Sequence, residues 1–308
     1  MFKKFLTIAV LFTTYVILSL LTSCDDDNGN NPPSSKYTQE QIARGEYLVM
    51  NVSKCAECHT PFGSGGAPDE SKLLAGGQEF IPGQMYSSNI TNDAETGLGK
   101  WTDEQIIKAI KNGLGHFNSN PNGQPLFPIM PYYVFANMTD DDAKAIVAFL
   151  REGTPAIKNE VPLPGSAFVP PAPTPALNYA SLPGSGEGKY LTSAAGLCVE
   201  CHTPRIESMP PNPAALDPTK YFAGGEPFTI PGLGTVQSSN ITPDDETGIG
   251  NWTDQQIKDA LLLHIDEMGI TLCPPMPSFS SLTAGDVDKI VAYLKSLPSI
   301  SNATTECP

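Results

Sequence analysis

The sequence predicts an all-α protein built from two tandem copies of one helical domain, and three observations carry that prediction. The chain repeats itself: Cys55-Ala56-Glu57-Cys58-His59-Thr60-Pro61 returns as Cys198-Val199-Glu200-Cys201-His202-Thr203-Pro204, 143 positions later. Ser88-Asn89-Ile90-Thr91 and the run Glu95 to Asp103 return 151 positions later, and Asp142 to Leu150 returns as Asp286 to Leu294, 144 positions later. Two copies of more than 100 residues each mean a duplicated domain rather than a solenoid of short repeats. Helix-start signals stand at matched positions in both copies, and no stretch alternates polar with apolar residues well enough to argue for a sheet. The 308 residues are 40% apolar, enough for a packed core, while 30 prolines and 27 glycines exclude long helices.

Residues 1–23 form the first element. Lys3 and Lys4 precede an uncharged run from Phe5 to Leu21, followed by Leu21-Thr22-Ser23-Cys24. A basic start, an apolar stretch and small residues before a cut make an export signal, and an apolar run of 17 residues is at the lower limit for spanning a bilayer. The cysteine at the cut resembles a bacterial lipoprotein signal. That resemblance implies lipidation of Cys24 and an extracytoplasmic protein held to a membrane through its lipid. Residues 24–37, acidic and rich in Asn, Ser and Pro, follow as a disordered tether.

The first repeat covers residues 38–154. Thr38-Gln39-Glu40-Gln41 is a capping box, in which a threonine hydroxyl and a glutamine side chain exchange bonds with each other's backbone N–H. It predicts a helix to about Asn51. Thr102-x-x-Gln105 and Thr139 predict helices over 103–112 and 140–151. Residues 155–183 hold eight prolines and read as an extended, semi-rigid spacer. The second repeat covers 184–298, with Thr253-x-x-Gln256 and Thr283 opening helices over 254–265 and 284–296. Residues 299–308 read as a tail. Gly45 and Gly188 stand at one position of the first helix in each copy, where a missing side chain lets another helix cross closely. Phe149 and Tyr293 of the last helices are the expected partners.

Cys-x-x-Cys-His is the attachment signature of c-type haem. Two cysteines three apart on a helical turn share a face and form thioethers with the haem vinyl groups. The following histidine supplies the proximal iron ligand. Cys55, Cys58 and His59 make one such site, and Cys198, Cys201 and His202 the other. Zinc needs four ligands, and too few Cys and His stand nearby. A thioredoxin-like reading needs a βαβ context that is absent. For the sixth iron position, the remaining histidines, His116 and His264, do not align between repeats. Met130 and Met276 do: Phe127-Pro128-Ile129-Met130-Pro131 corresponds to Cys273-Pro274-Pro275-Met276-Pro277, a proline-stiffened loop before the last helix. Met50, Met85, Met138, Met209 and Met268 have no counterparts and read as packing residues. Trp101 and Trp252 fit either haem packing or a hydrophobic staple at the caps beside them. Tyr132 reads as core and His116 as a surface-loop residue.

With these residues in place, each repeat resembles a class I cytochrome c domain. The pair resembles the haem modules of the multihaem cytochrome c subunits of membrane-bound alcohol, aldehyde and gluconate dehydrogenases. The resemblance rests on the haem motifs, the Ser-Asn-Ile-Thr to Gly-x-Gly-x-Trp-Thr segments and the two Met-Pro loops. It implies two covalent haem c groups and single-electron transfer from a donor dehydrogenase to an acceptor such as a terminal oxidase, without substrate chemistry of its own. Those subunits usually carry three haem modules, and this chain carries two. Class I domains also orient the proximal histidine with a proline carbonyl, for which Pro61, Pro68, Pro204 and Pro210 are all candidates. A dihaem cytochrome c peroxidase is the rival reading. It needs an open distal site, against which the paired methionine loops argue. A fixed subunit of a dehydrogenase or oxidase complex shares the carrier's mechanism and differs in its partners.

The formal charge is −15, and −17 without residues 1–23, which hold two lysines and no acid. That excludes a generic nucleic-acid binder and suits basic redox partners. Of seven cysteines, one is assigned to lipid and four to haem. Cys273 and Cys307 remain, and in an oxidising compartment they are expected to form a disulfide.

Overall fold

The computed structural model describes residues 35–117, 122–165, 168–170, 172–206, 215–230 and 234–305. The signal segment, Cys24, most of the tether, Pro210 and Cys307 lie outside the described residues.

The capping signals mark the helix starts. Helix α1 (Gln39–Tyr47) begins at the complete Thr38–Gln41 box and runs on through a wider π turn to Val52. Helix α2 (Cys55–His59) is the first haem motif. Helix α3 (Asp103–Asn112) starts at the Thr102–Gln105 box. A short α4 (Tyr132–Phe135) follows the Met130 loop, and α5 (Asp140–Ala148) starts at Thr139 and continues as a π turn to Gly153. The second repeat gives α6 (Glu187–Ser193), α7 (Cys198–Cys201), α8 (Asp254–Leu262) and α9 (Ala284–Lys295). α8 stops earlier than the predicted 265, where Leu263 and the positive-φ residue His264 turn the chain away.

The strands depart from the all-α expectation. Among the described residues, three two-stranded antiparallel ribbons pair β1 (Glu79–Ile81) with β2 (Met85–Tyr86), β3 (Leu114–Gly115) with β4 (Gln124–Pro125), and β5 (Pro227–Ile230) with β6 (Gly234–Gln237). They are two to four residues long, too short for a period-two pattern to register in the sequence.

The first and last helices of each repeat cross at the predicted glycine. A Cβ on Gly45 would collide with the Ala145 carbonyl and come within 2.8 Å of Phe149 Cβ. One on Gly188 would lie 2.5 Å from Tyr293 Cβ. Phe149 and Tyr293 are thus the crossing partners.

From Tyr37 onward the chain packs as one unit, and the two repeats meet through reciprocal bonds. Tyr47 donates its hydroxyl to Asp286 at 2.7 Å and accepts the Thr283 N–H at 3.1 Å. The equivalent Tyr190 donates to Asp142 at 2.6 Å and lies 3.3 Å from the Thr139 N–H. Ser53, two residues before Cys55 of the first haem motif, donates to the Ala195 carbonyl at 2.7 Å. One contiguous apolar cluster runs through both repeats, from Leu48, Val49 and Ile146 to Val199, Ile290 and Val291.

The proline-rich segment does not stand free as a spacer. The Leu177 N–H bonds the Tyr133 carbonyl at 2.9 Å, and Leu177 and Leu182 are buried. Its first residues also match the C-terminal tail. Asn159 donates its side-chain amide to the Ala75 and Gly76 carbonyls, and its backbone N–H to Thr96. Asn302 bonds Ala223, Gly224 and Thr247 in the same way. Residues 157–159 and 300–302 are therefore one strap occurring twice. Its signature, Ile157-Lys158-Asn159 against Ile300-Ser301-Asn302, was present in the sequence at the same 143-residue offset.

Candidate functional site

Each Cys-x-x-Cys-His motif winds a single helical turn. Lys54, in the left-handed region at φ 55°, starts α2, and the turn places Cys55, Cys58 and His59 at the mouth of an apolar cavity of about 190 Å3. Met130 lines the same cavity, with Trp101, Ile106 and, from the second repeat, Leu197. The predicted attachment cysteines, proximal histidine and methionine of the first repeat are thus brought to one cavity. Met85 and Met138 line it as well. Of the three, Met130 alone has a counterpart on the equivalent loop of the second repeat.

The two histidines are held identically. His59 Nδ1 lies 2.8 Å from the Ser88 carbonyl, and His202 Nδ1 lies 2.8 Å from the Ser239 carbonyl. A carbonyl only accepts, so Nδ1 carries the proton and Nε2 keeps its lone pair, the form that ligates a metal. Burial also holds both imidazoles below their ordinary pKa, outweighing the opposite effect of the serine carbonyls. Neither Pro61 nor Pro204 orients a histidine. Their carbonyls accept the Asp69 and Asp217 N–H groups instead.

The serine carbonyls are positioned from behind by Gly76 and Gly224. Their N–H groups bond the His59 and His202 carbonyls at 2.7 and 2.8 Å. Both glycines have φ near +70°, and a Cβ on Gly76 would lie 2.5 Å from the Asn89 nitrogen and the Ser87 oxygen. Asn89 and Asn240, fully internal, then tie this loop to the strap through the Ile157 and Ile300 carbonyls at 2.8 and 2.7 Å.

The cysteines suit thioethers better than thiolates. Burial pushes the Cys55 thiol up to about 12 and that of Cys198 to about 11, whereas zinc binding and disulfide exchange work through lowered thiol pKa values. Among the described residues, no three His, Cys, Asp or Glu side chains converge as a metal-binding group. The donor set, the cavity and the imidazole tautomer fit a haem at the first motif. At the second, the motif and tautomer are repeated, and Met276 is half-buried against the core.

The two methionine loops are braced differently. In the first repeat Tyr132 is buried beside Gly113, where a Cβ would lie 2.5 Å from its ring, and its hydroxyl accepts the Thr174 N–H at 2.8 Å. In the second, those positions are Ser278 and His264. His264 takes the left-handed φ of 59°, and its Nε2 lies 2.8 Å from the Met276 carbonyl. The bulky ring has changed sides of the contact. Cys273 is disulfide-bonded, while Cys55, Cys58, Cys198 and Cys201 are free thiols. His116 is not the surface residue the sequence suggested. The β3–β4 pairing folds its segment inward, and it is buried with its ring edge-on to Trp101 at 5.6 Å. Trp101 lines the cavity, as one of its two readings required.

Sequence reasoning missed the two serine carbonyls. The Ser-Asn-Ile-Thr repeat was visible, but a backbone acceptor leaves no residue-type signature. Co-occurrence of this repeat with each haem motif was the available signal.

The site fits the attachment of a c-type haem, and comparison with known proteins agrees for the first repeat. Residues 42–154 match the cytochrome c family, so the chain carries a cytochrome c domain. It is 29% identical to the fructose dehydrogenase cytochrome subunit of Gluconobacter japonicus, over 96% of this chain and 60% of that protein. It is 32% identical to the cytochrome c subunit of the quinone alcohol dehydrogenase of Gluconobacter oxydans, over 84% and 55%. A diheme c-type cytochrome of Cereibacter sphaeroides is 27% identical over 84% of this chain and 87% of its own length. The chain thus spans little more than half the length of the dehydrogenase subunits it matches. Among the described residues, no helix is long and apolar enough to cross a membrane.

Proposed function

We propose that this chain is an exported dihaem cytochrome c that passes single electrons from a membrane or periplasmic dehydrogenase to a downstream acceptor. One observation carries the reading: the Cys-x-x-Cys-His turn occurs twice, each time with its histidine Nδ1 bonded to a serine carbonyl at 2.8 Å. Cys55 and Cys58 would anchor one haem and Cys198 and Cys201 the other. His59 with Met130, and His202 with Met276, would supply the iron ligands. A haem held there supplies reversible one-electron exchange at iron. The chain's part would be to keep each imidazole in its ligating tautomer, offer a soft thioether from the methionine loop, and close the cavity with apolar side chains that exclude water. Methionine ligation favours the reduced iron and a high potential. The dehydrogenase partner rests on the similarity to cytochrome subunits of fructose and alcohol dehydrogenases. Export and lipid anchoring rest on residues 1–24, and a Cys273–Cys307 bridge is supported by the bonded state of Cys273.

Intact-mass measurement of the mature protein together with a potentiometric titration tests the reading. The expected result is two added haems, both low-spin and six-coordinate. A mass with fewer haems, or a high-spin haem in the wild type that reacts with peroxide, overturns it.

A further inference from the structure

The second haem motif carries a buried charge network that the first lacks. Glu200 stands between Cys198 and Cys201, and one of its carboxylate oxygens lies 3.3 Å from Cys201 Sγ. The other accepts the Tyr133 hydroxyl at 3.1 Å and pairs with the Arg205 guanidinium. Arg205 also pairs with Glu226 through its guanidinium and donates its backbone N–H to the same carboxylate at 3.0 Å. The side chains are enclosed: Arg205 is 9% exposed, Glu226 12% and Glu200 21%. Tyr133 comes from the other repeat, three residues after Met130, on the helix that follows the first ligand loop.

At the equivalent positions of the first repeat the network is missing. Glu57 is 54% exposed and lies 3.7 Å from Lys54. Phe62, 58% exposed, replaces Arg205, and Gln78 replaces Glu226. Across the repeat contact Phe279 replaces Tyr133 and lies under Lys54, 5.3 Å from its ammonium. The tyrosine–aspartate bonds between the repeats are reciprocal, and the charge beside the two motifs is one-sided. Two carboxylates and one guanidinium leave a net negative charge inside the protein beside Cys201. At the first motif the largely enclosed Lys54 balances the solvent-exposed Glu57. A negative charge in a poorly screened interior stabilises the more positive, oxidised iron.

We propose that the Tyr133–Glu200–Arg205–Glu226 network makes the two haems unequal, holding the second below the first in potential, and that Glu200 is the positioning residue that links the second haem's attachment helix to the Met130 loop. Electrons entering at the second haem then run towards the first. This rests on the dihaem reading above.

The test is a spectroelectrochemical titration of the holoprotein after its haem count has been fixed by intact mass. Met276→Ala identifies the second haem's wave as the one it lowers. Glu200→Gln is expected to raise that haem's reduction equilibrium constant about tenfold, a shift of about 59 mV for a one-electron couple. It should leave the first haem's constant within about threefold. Glu57→Gln should move neither by more than that. Tyr133→Phe, which installs the residue found at the twin position, removes a donor from the carboxylate and should lower the second haem's constant about threefold. It remains decisive if Glu200→Gln fails to mature. A purely structural network would lower the melting temperature of these variants and leave both potentials in place. That outcome, or a fall in the second haem's potential with Glu200→Gln, overturns the proposal. A wild-type mass with one haem or none overturns instead the dihaem reading on which it stands.

Discussion

At the scale of single residues, each Cys-x-x-Cys-His turn depends on the groups that place its histidine as much as on the histidine itself. On the proposed ligation, Met130→Ala and Met276→Ala should each remove about half of the methionine-to-iron charge-transfer absorbance and lower one midpoint potential, because the thioether would be lost while the histidine stays. An absorbance spectrum unchanged by one of them removes the ligand assignment at that site. Gly76→Ala acts one step further back. It forces a side chain into the left-handed region, at roughly 1–2 kcal/mol, and into the Ser87–Asn89 backbone that holds His59. The expected outcome is a change in the first haem's spectrum and potential with the second untouched. Equal effects on both would show that the serine carbonyls do not act locally. The residue types at these sites were legible in the sequence. Which carbonyl holds each histidine was not, since four prolines were candidates and the acceptors are serine backbones 29 and 37 residues after the histidines.

The elements were the most legible scale. The threonine caps at 38, 102, 139, 253 and 283 all start helices, because a capping side chain satisfies the orphan N–H groups of a helix start wherever the helix later packs. Thr102→Ala and Thr253→Ala should each cost about 1 kcal/mol in a denaturant titration. Gly45→Ala should cost more, at or above the upper end of the roughly 1–3 kcal/mol of overpacking, since the Ala145 backbone and Phe149 Cβ already fill the space. A cost below about 1 kcal/mol would mean that the helices can separate there without loss. The short ribbons and the two straps were not legible as structure. Each is held by bonds to residues tens of positions away, and such bonds write no local period.

For the whole molecule, the junction between repeats makes stability depend on acid. Burial alone would raise the Asp142 pKa, but the bonds from Arg44 and Tyr190 outweigh it and hold it below the ordinary 3.8. Asp286 is likewise held down, by Tyr47 and Lys289 against burial. A carboxylate with a lowered folded pKa stabilises the fold above its unfolded value and loses that contribution as pH falls through the folded one. Melting temperature should therefore drop steeply below about pH 4. Asp142→Asn with Asp286→Asn should be less stable at pH 6 and show a shallower acid limb. An unchanged limb would place the acid sensitivity elsewhere. At the same scale, thiol counting on the denatured, unreduced, haem-loaded and lipidated protein should find none. A Cys273–Cys307 bridge closes about 35 residues, worth roughly 3–4 kcal/mol on the chain-entropy estimate. Two reactive thiols would refute it.

By itself the sequence determined the internal repeat, the helix starts, the Gly45 and Gly188 crossings and the two Cys-x-x-Cys-His motifs. Each of these is written in residue type and spacing over a few turns. Only the tertiary structure decided that Ser88 and Ser239 hold the histidines and that the proline-rich segment and the tail share one strap. It also decided that His264 and Tyr132 brace opposite sides of equivalent loops, and that Glu200 is enclosed while its twin Glu57 is solvated. Those outcomes turn on which surfaces meet when two similar repeats pack against each other. A repeat carries the same local code in both copies, so the differences between its two environments arise only at the contact itself.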